Sequence, residues 1–102
     1  MIHVIATITI APEAKEKFVE LFKRNIPTVQ AEEGCIAYGL TKDVDSGLPI
    51  QVGPREDVVT VVERWESLDH LNAHLAAPHM TAYHEATEGM VSGVSLQVLE
   101  PV

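Results

Sequence analysis

Apolar and polar positions alternate from the start of the chain. Ile2, Val4, Ala6, Ile8 and Ile10 interleave with His3, Ile5, Thr7 and Thr9, a period of two rich in β-branched residues that predicts a strand. The pattern then changes. Pro12 suits a first helical turn, Glu13 and Glu16 sit near its positive end, and Ala14, Phe18, Leu21, Phe22, Asn25 and Val29 fall on one face at helical spacing. These positions predict an amphipathic helix from 12 to about 31, kinked or restarted at Pro27 and stopped at Glu32-Glu33-Gly34, where Gly34 can take a left-handed turn. Cys35 to Lys42 reads as a second strand with Ile36, Tyr38 and Leu40 on one face. Residues 43–57 carry turn chemistry and at most a short strand around Leu48–Val52. Val58 to Trp65 reads as a further strand, apolar on both sides at first.

Ser67 can cap a helix with Asp69 in its first turn, and Leu68, Leu71 and Leu75 are spaced to form its buried face. Pro78 breaks that helix and can open another, from His79 to about Gly89. After Gly93, Val94, Leu96 and Val98 alternate with polar positions in a last strand that Pro101 ends. The order β-α-β-(β)-β-α-α-β fits an α+β ferredoxin-like fold, an antiparallel sheet with helices on one face. Without repeats or an evident linker, residues 1–102 read as one domain. Val59, Val61 and Trp65 share one side of their strand, and an apolar sheet face left open by the helices would be covered by a second copy of the chain. A homodimer is therefore expected, with a pocket beside the paired sheets.

Composition narrows the partners. A net charge of −8 argues against nucleic acid and against anionic membrane surfaces. No segment approaches the ~20 apolar residues that cross a bilayer, and Met1–Ile10 lacks the basic start of a targeting segment. The single cysteine, Cys35, excludes an internal disulfide and fits a reducing, cytoplasmic setting. With no activating cation nearby in sequence, it reads as a small packed residue.

Four of the five histidines fall between His70 and His84. His70 and His74 share a helix face, with Glu66 one turn earlier, a spacing that can hold a divalent ion. Leu71 stands where the zinc-protease signature needs a Glu, so no metal is expected and His70 reads as solvated. His74, His79 and Tyr83 flank the break at Pro78, where helix ends can aim side chains at a ligand. Each histidine could serve as acid or base near neutral pH, or simply bond backbone; Tyr83 could equally be core. Trp65 could be core or a flat wall for an aromatic ligand, whereas Arg64 should face solvent. Glu13, Glu16, Glu20, Glu32 and Glu33 read as a solvated helix surface. There is no Gly-rich phosphate loop, dinucleotide fingerprint, CxxC pair or nucleophile elbow, so no cofactor is expected.

The strings Glu32-Glu33-Gly34-Cys35 with Tyr38, Glu63-Arg64-Trp65-Glu66-Ser67, and His70-Leu71-Asn72-Ala73-His74-Leu75 followed by Pro78-His79-Met80 resemble the antibiotic biosynthesis monooxygenase (ABM) family, particularly its bacterial quinol monooxygenase branch. The resemblance runs from the first strand to Leu99-Glu100-Pro101. It implies a dimeric α+β barrel that oxidises a quinol or similar electron-rich aromatic with O2, without metal or flavin. It places Trp65, Tyr38 and His74 at the pocket, with His79 and His84 following; His74 and His79 are the expected catalytic residues, and Trp65, Tyr38 and His84, with Tyr83 from the helix break, are expected at the substrate. A non-catalytic ligand-binding or stress-response dimer is the alternative. The same fold hosts haem-degrading monooxygenases, for which His84 stands at the iron-ligand position, but the first strand has Ala6 and Thr7 and lacks the Asn those enzymes use. It also hosts isomerases of phosphorylated signalling molecules, and fold alone does not choose among these.

Overall fold

The computed structural model describes residues 1–102. Strand β1 spans Ile2–Ile10, and a single 3-10 turn at Pro12–Ala14 leads into helix α1, Lys15–Gln30. Strands β2 (Cys35–Lys42) and β3 (Val58–Trp65) follow, then helices α2 (Leu68–Leu75) and α3 (Pro78–Ala86) and strand β4 (Val91–Leu99). The strands form one antiparallel sheet in the order β2-β3-β1-β4. This is the α+β ferredoxin-like arrangement, with all helices on one face.

The alternation in β1 decides which face that is. Ile2, Val4, Ala6, Ile8 and Ile10 are buried beneath the helices, opposite Trp65, Glu63, Val61 and Val59 of β3. Phe18, Phe22 and Val29 of α1 complete the core with Tyr38, Leu71 and Met80. Burial of this apolar area is the main stabilising term for so short a chain.

Several local expectations need correction. Residues 48–52 form no strand: the 43–57 link is loop, clamped near its ends where the Arg55 guanidinium donates to both carboxylate oxygens of Asp43 at 2.8 and 2.9 Å. Helix α1 is not restarted at Pro27: it runs unbroken from Lys15 to Gln30, losing the one bond that an N–H at position 27 would have donated to the Lys23 carbonyl. Ile36 is the extra residue of a bulge between Cys35 and Ala37, and this puts it in solvent rather than beside Tyr38. Gly93 lies inside β4, next to a second bulge where β4 meets Thr9 and Ile10. On α2, Leu68 and Leu75 are half exposed, and the buried positions are Leu71 and His74.

The largest correction concerns the sheet. Val59, Val61 and Trp65 point into the chain's own helices, not outward. The helix-free face carries His3, Ile5 and Thr7 of β1 beside Thr60, Val62 and Arg64 of β3, a mixed surface. The exposed apolar row is elsewhere. Val94, Leu96 and Val98 of β4 pair with Ile8, Ala6 and Val4 and so face the helix side, but no helix reaches over them.

Candidate active site

Where the helices stop short of β4, a cavity of about 430 Å³ opens between the sheet and helices α2 and α3. Its size falls in the ~300–1,000 Å³ range of small-molecule sites, and its lining is mostly apolar. Ala6, Ile8 and Val61 form the floor, and Val94 and Leu96 the open side. The polar groups reaching it include Tyr38, Glu63, His74, Tyr83 and His84.

His74 is central. Its position in the last turn of α2 turns the ring inward, and the side chain is 2% exposed. Nδ1–H donates to Glu32 Oε2 at 2.7 Å. Trp65 packs behind the ring at 4.7 Å between centroids, and Tyr38 meets it edge-on at 5.5 Å. No protein group bonds Nε2. Since no buried side-chain nitrogen or oxygen lacks a partner, Nε2 is the atom the ring offers to the open cavity. Donation to a carboxylate fixes the tautomer, leaving a lone pair on Nε2.

Glu32 owes its position to the turn after α1. Gly34 takes φ +80°, a left-handed conformation that sends the chain into β2, and its carbonyl accepts from Glu66 N at 2.9 Å, tying this turn to the start of α2. Glu32 thus lies under the α2–α3 junction. There His79 Nε2–H also donates to its Oε2, at 2.9 Å. Pro78 at the first position of α3 sets that approach.

Tyr38 stacks on Phe22, centroids 5.6 Å apart and 7° from parallel, and Tyr83 meets Phe22 edge-on. Burial, and then the nearby Glu63, push the Tyr38 phenol well above its ordinary range, and burial pushes Tyr83 up to about 12. Both therefore stay neutral near pH 7, as hydrogen-bonding groups rather than bases. Glu63 is buried, and Trp65 Nε1–H donates to it at 2.9 Å. Desolvation raises its carboxyl above the usual range, against the opposing effects of that bond and of His74. Cys35 is raised by burial and by Glu32 and Glu63, so its thiol is not activated.

The predicted site residues therefore separate into two layers. Tyr38, His74, Tyr83 and His84 line the cavity. Trp65 does not: it is fully buried behind His74, because its strand position faces the core. His79 does not either: it reaches Glu32 from the outer side, beside a shallow depression. His70, expected in solvent, is part-buried instead: it turns away from His74 and bonds Ser67 Oγ at 2.7 Å. Two residues were missed. Glu32, expected on a solvated helix surface, holds both His74 and His79 instead. Glu63 shares the parity of Val59, Val61 and Trp65, and an acid at an inward position was the available signal.

Comparison with known proteins agrees with this fold. The chain is 38% identical over 103 residues to the Escherichia coli K12 protein named "Probable quinol monooxygenase YgiN", covering 99% of this chain and 98% of that one. It superimposes on Rv0793 from Mycobacterium tuberculosis with a TM-score of 0.81 at 25% identity, covering 99% and 94% of the two chains. PA3566 from Pseudomonas aeruginosa shares the fold with a TM-score of 0.81 at 23% identity, over 99% and 93%. The profile described as "Antibiotic biosynthesis monooxygenase" matches residues 1–86. With the relative matched over nearly its full length, this match places the chain in the antibiotic biosynthesis monooxygenase family.

Proposed function

We propose that this protein oxidises a quinol, or a similar electron-rich aromatic, with O2. The observation that carries the reading is His74: an imidazole held through Nδ1 by Glu32, with Nε2 free at an apolar cavity of about 430 Å³. The kinship to a protein named as a quinol monooxygenase supports the substrate class.

The chemistry follows from these groups. His74 Nε2 accepts a phenolic proton, and Glu32 stabilises the imidazolium that forms. The quinolate is a strong one-electron donor and reduces O2 directly, so the electrons come from the substrate. Insertion of one oxygen atom converts the hydroquinone to a hydroxyquinone, and the second oxygen leaves as water, which balances atoms and electrons. The apolar walls keep water from the radical pair. The neutral phenols of Tyr38 and Tyr83 and the side chain of His84 hold the substrate. His79 acts through Glu32, and Trp65 backs the His74 ring; both are positioning residues in this reading.

We also infer a homodimer. The apolar row Val94, Leu96 and Val98 and the open side of the cavity are left uncovered by the chain's own helices. Pairing that buries upwards of ~2,000 Å² is expected, and a well-folded monomer in sedimentation at micromolar concentration would contradict it.

The activity is tested with an oxygen electrode, metal-stripped protein and a panel of benzo- and naphthohydroquinones, corrected for spontaneous oxidation. Protein-dependent O2 uptake with a hydroxyquinone product is expected. Rates equal to the spontaneous ones across the panel would overturn it in favour of a ligand-binding dimer.

A further inference from the structure

Glu32 Oε2, His74 Nδ1 and His79 Nε2 come from three separate elements and lie within 4.8 Å of one another. Both nitrogens point at the same carboxylate oxygen, at 2.7 and 2.9 Å. Two imidazoles and one carboxylate are the donor set of many three-ligand zinc sites. Ligand atoms at ~2.0–2.2 Å from a shared Zn²⁺ lie somewhat over 3 Å apart, so admitting the ion needs the Glu32 carboxylate to draw back from the two nitrogens, which then settle to that spacing around it. A route in exists, because His79 is 26% exposed and borders the shallow depression beside Arg24 and Asn25. The net charge of −8 favours approach of a cation.

We propose that Glu32, His74 and His79 form a binding site for Zn²⁺, and that its occupation switches the oxidation off. The first half stands on these three side chains alone; the second rests on the reading of His74 as the base. The ion takes the lone pair of His74 Nδ1, so that nitrogen carries no proton and the neutral ring holds its proton on Nε2 instead. Nε2 then faces the cavity as a donor and has no lone pair with which to accept a phenolic proton. No net proton is released from His74, because the proton moves from one ring nitrogen to the other. The same relocation at His79 moves its proton to Nδ1. The ion therefore fills no part of the cavity, yet it reverses the hydrogen-bonding sense of the one basic atom there.

The test uses metal-stripped full-length protein titrated with ZnCl₂ against a chromophoric zinc chelator. One ion per chain with a dissociation constant at or below ~10 µM is expected. Glu32→Gln and His79→Gln should each weaken binding at least ~10-fold, while His70→Gln leaves the affinity unchanged and MgCl₂ does not compete. In parallel, hydroquinone-dependent O2 uptake should fall in proportion to zinc occupancy. Absence of saturable binding, or unchanged affinity in the Glu32 and His79 variants, would overturn the site whatever the activity. Undiminished O2 uptake at full occupancy would overturn the inhibitory half. A protein that binds zinc as expected but oxidises no hydroquinone would refute the activity and leave the site standing.

Discussion

Helix α2 carries a histidine near each end, four residues apart, and the two sit in different chemistry. At the N-terminal end, His70 closes a local loop: its backbone N–H donates to Ser67 Oγ at 3.3 Å and its Nδ1 shares a bond with the same hydroxyl. Its ring rests over Gly34. At the C-terminal end, His74 reaches 42 residues back in sequence to Glu32 and presents its other nitrogen to a cavity. The helix spacing that made them look like a pair is real, yet it settles neither role. What separates them is the partner of Nδ1: a serine that belongs to the helix's own cap, or a carboxylate delivered from the end of α1.

The predictions probe that difference. Glu32→Gln keeps a side chain of the same shape but an amide in place of the anion, so it should release the His74 tautomer and lose the charge that stabilises imidazolium. Turnover should fall ~10–10²-fold with KM changed less; measured steady-state rates on folded protein equal to wild type would separate the two histidines on some other ground. Gly34→Ala acts on both ends at once. Its φ of +80° disfavours an L side chain, and a Cβ there would collide with the His70 ring. A loss of about 1–3 kcal/mol is expected in denaturant unfolding, with His70 forced from its cap.

Glu63→Gln gives the smallest effect at low pH and a growing one as pH rises. The folded protein holds the Glu63 proton above the ordinary carboxyl value of 4.5, so the native state binds more protons than the unfolded chain across that interval. This group's favourable contribution is therefore complete below 4.5 and is lost as pH climbs through the raised value. The variant has no such loss, and its stability relative to wild type should increase with pH over that window. Parallel stability–pH curves for the two proteins would show that Glu63 does not carry the shift.

The fold was legible because its strands alternate and its helices carry clear stops. Pro12, Gly34, Ser67 and Pro78 each act locally, and each does in the structure what its chemistry dictates. Errors arose where burial depends on a distant element. Leu75 has core spacing, but α2 overhangs a cavity there, so it stands at the rim. Val59, Val61 and Trp65 have the right parity for a shared face, but only the placement of α1 and α2 says which face is covered. Glu32 was illegible for the same reason: its neighbours Glu33 and Gly34 read as a turn surface, and nothing local shows that the α2–α3 junction folds over it. Tyr38, His74, Tyr83 and His84 could be singled out as a group, whereas the layering of Trp65 and His79 behind them is set only by tertiary packing.

The most direct measurement compares His74→Ala with His70→Ala, both folded by circular dichroism, in O2 uptake with one hydroquinone across a pH series. Loss of a general base costs about 10²–10⁴-fold in rate. The account predicts a fall of that size for His74→Ala with its pH profile flattened, and wild-type turnover with an unchanged profile for His70→Ala. Equal turnover and the same pH profile in His74→Ala and wild type, after correction for spontaneous oxidation, would contradict it.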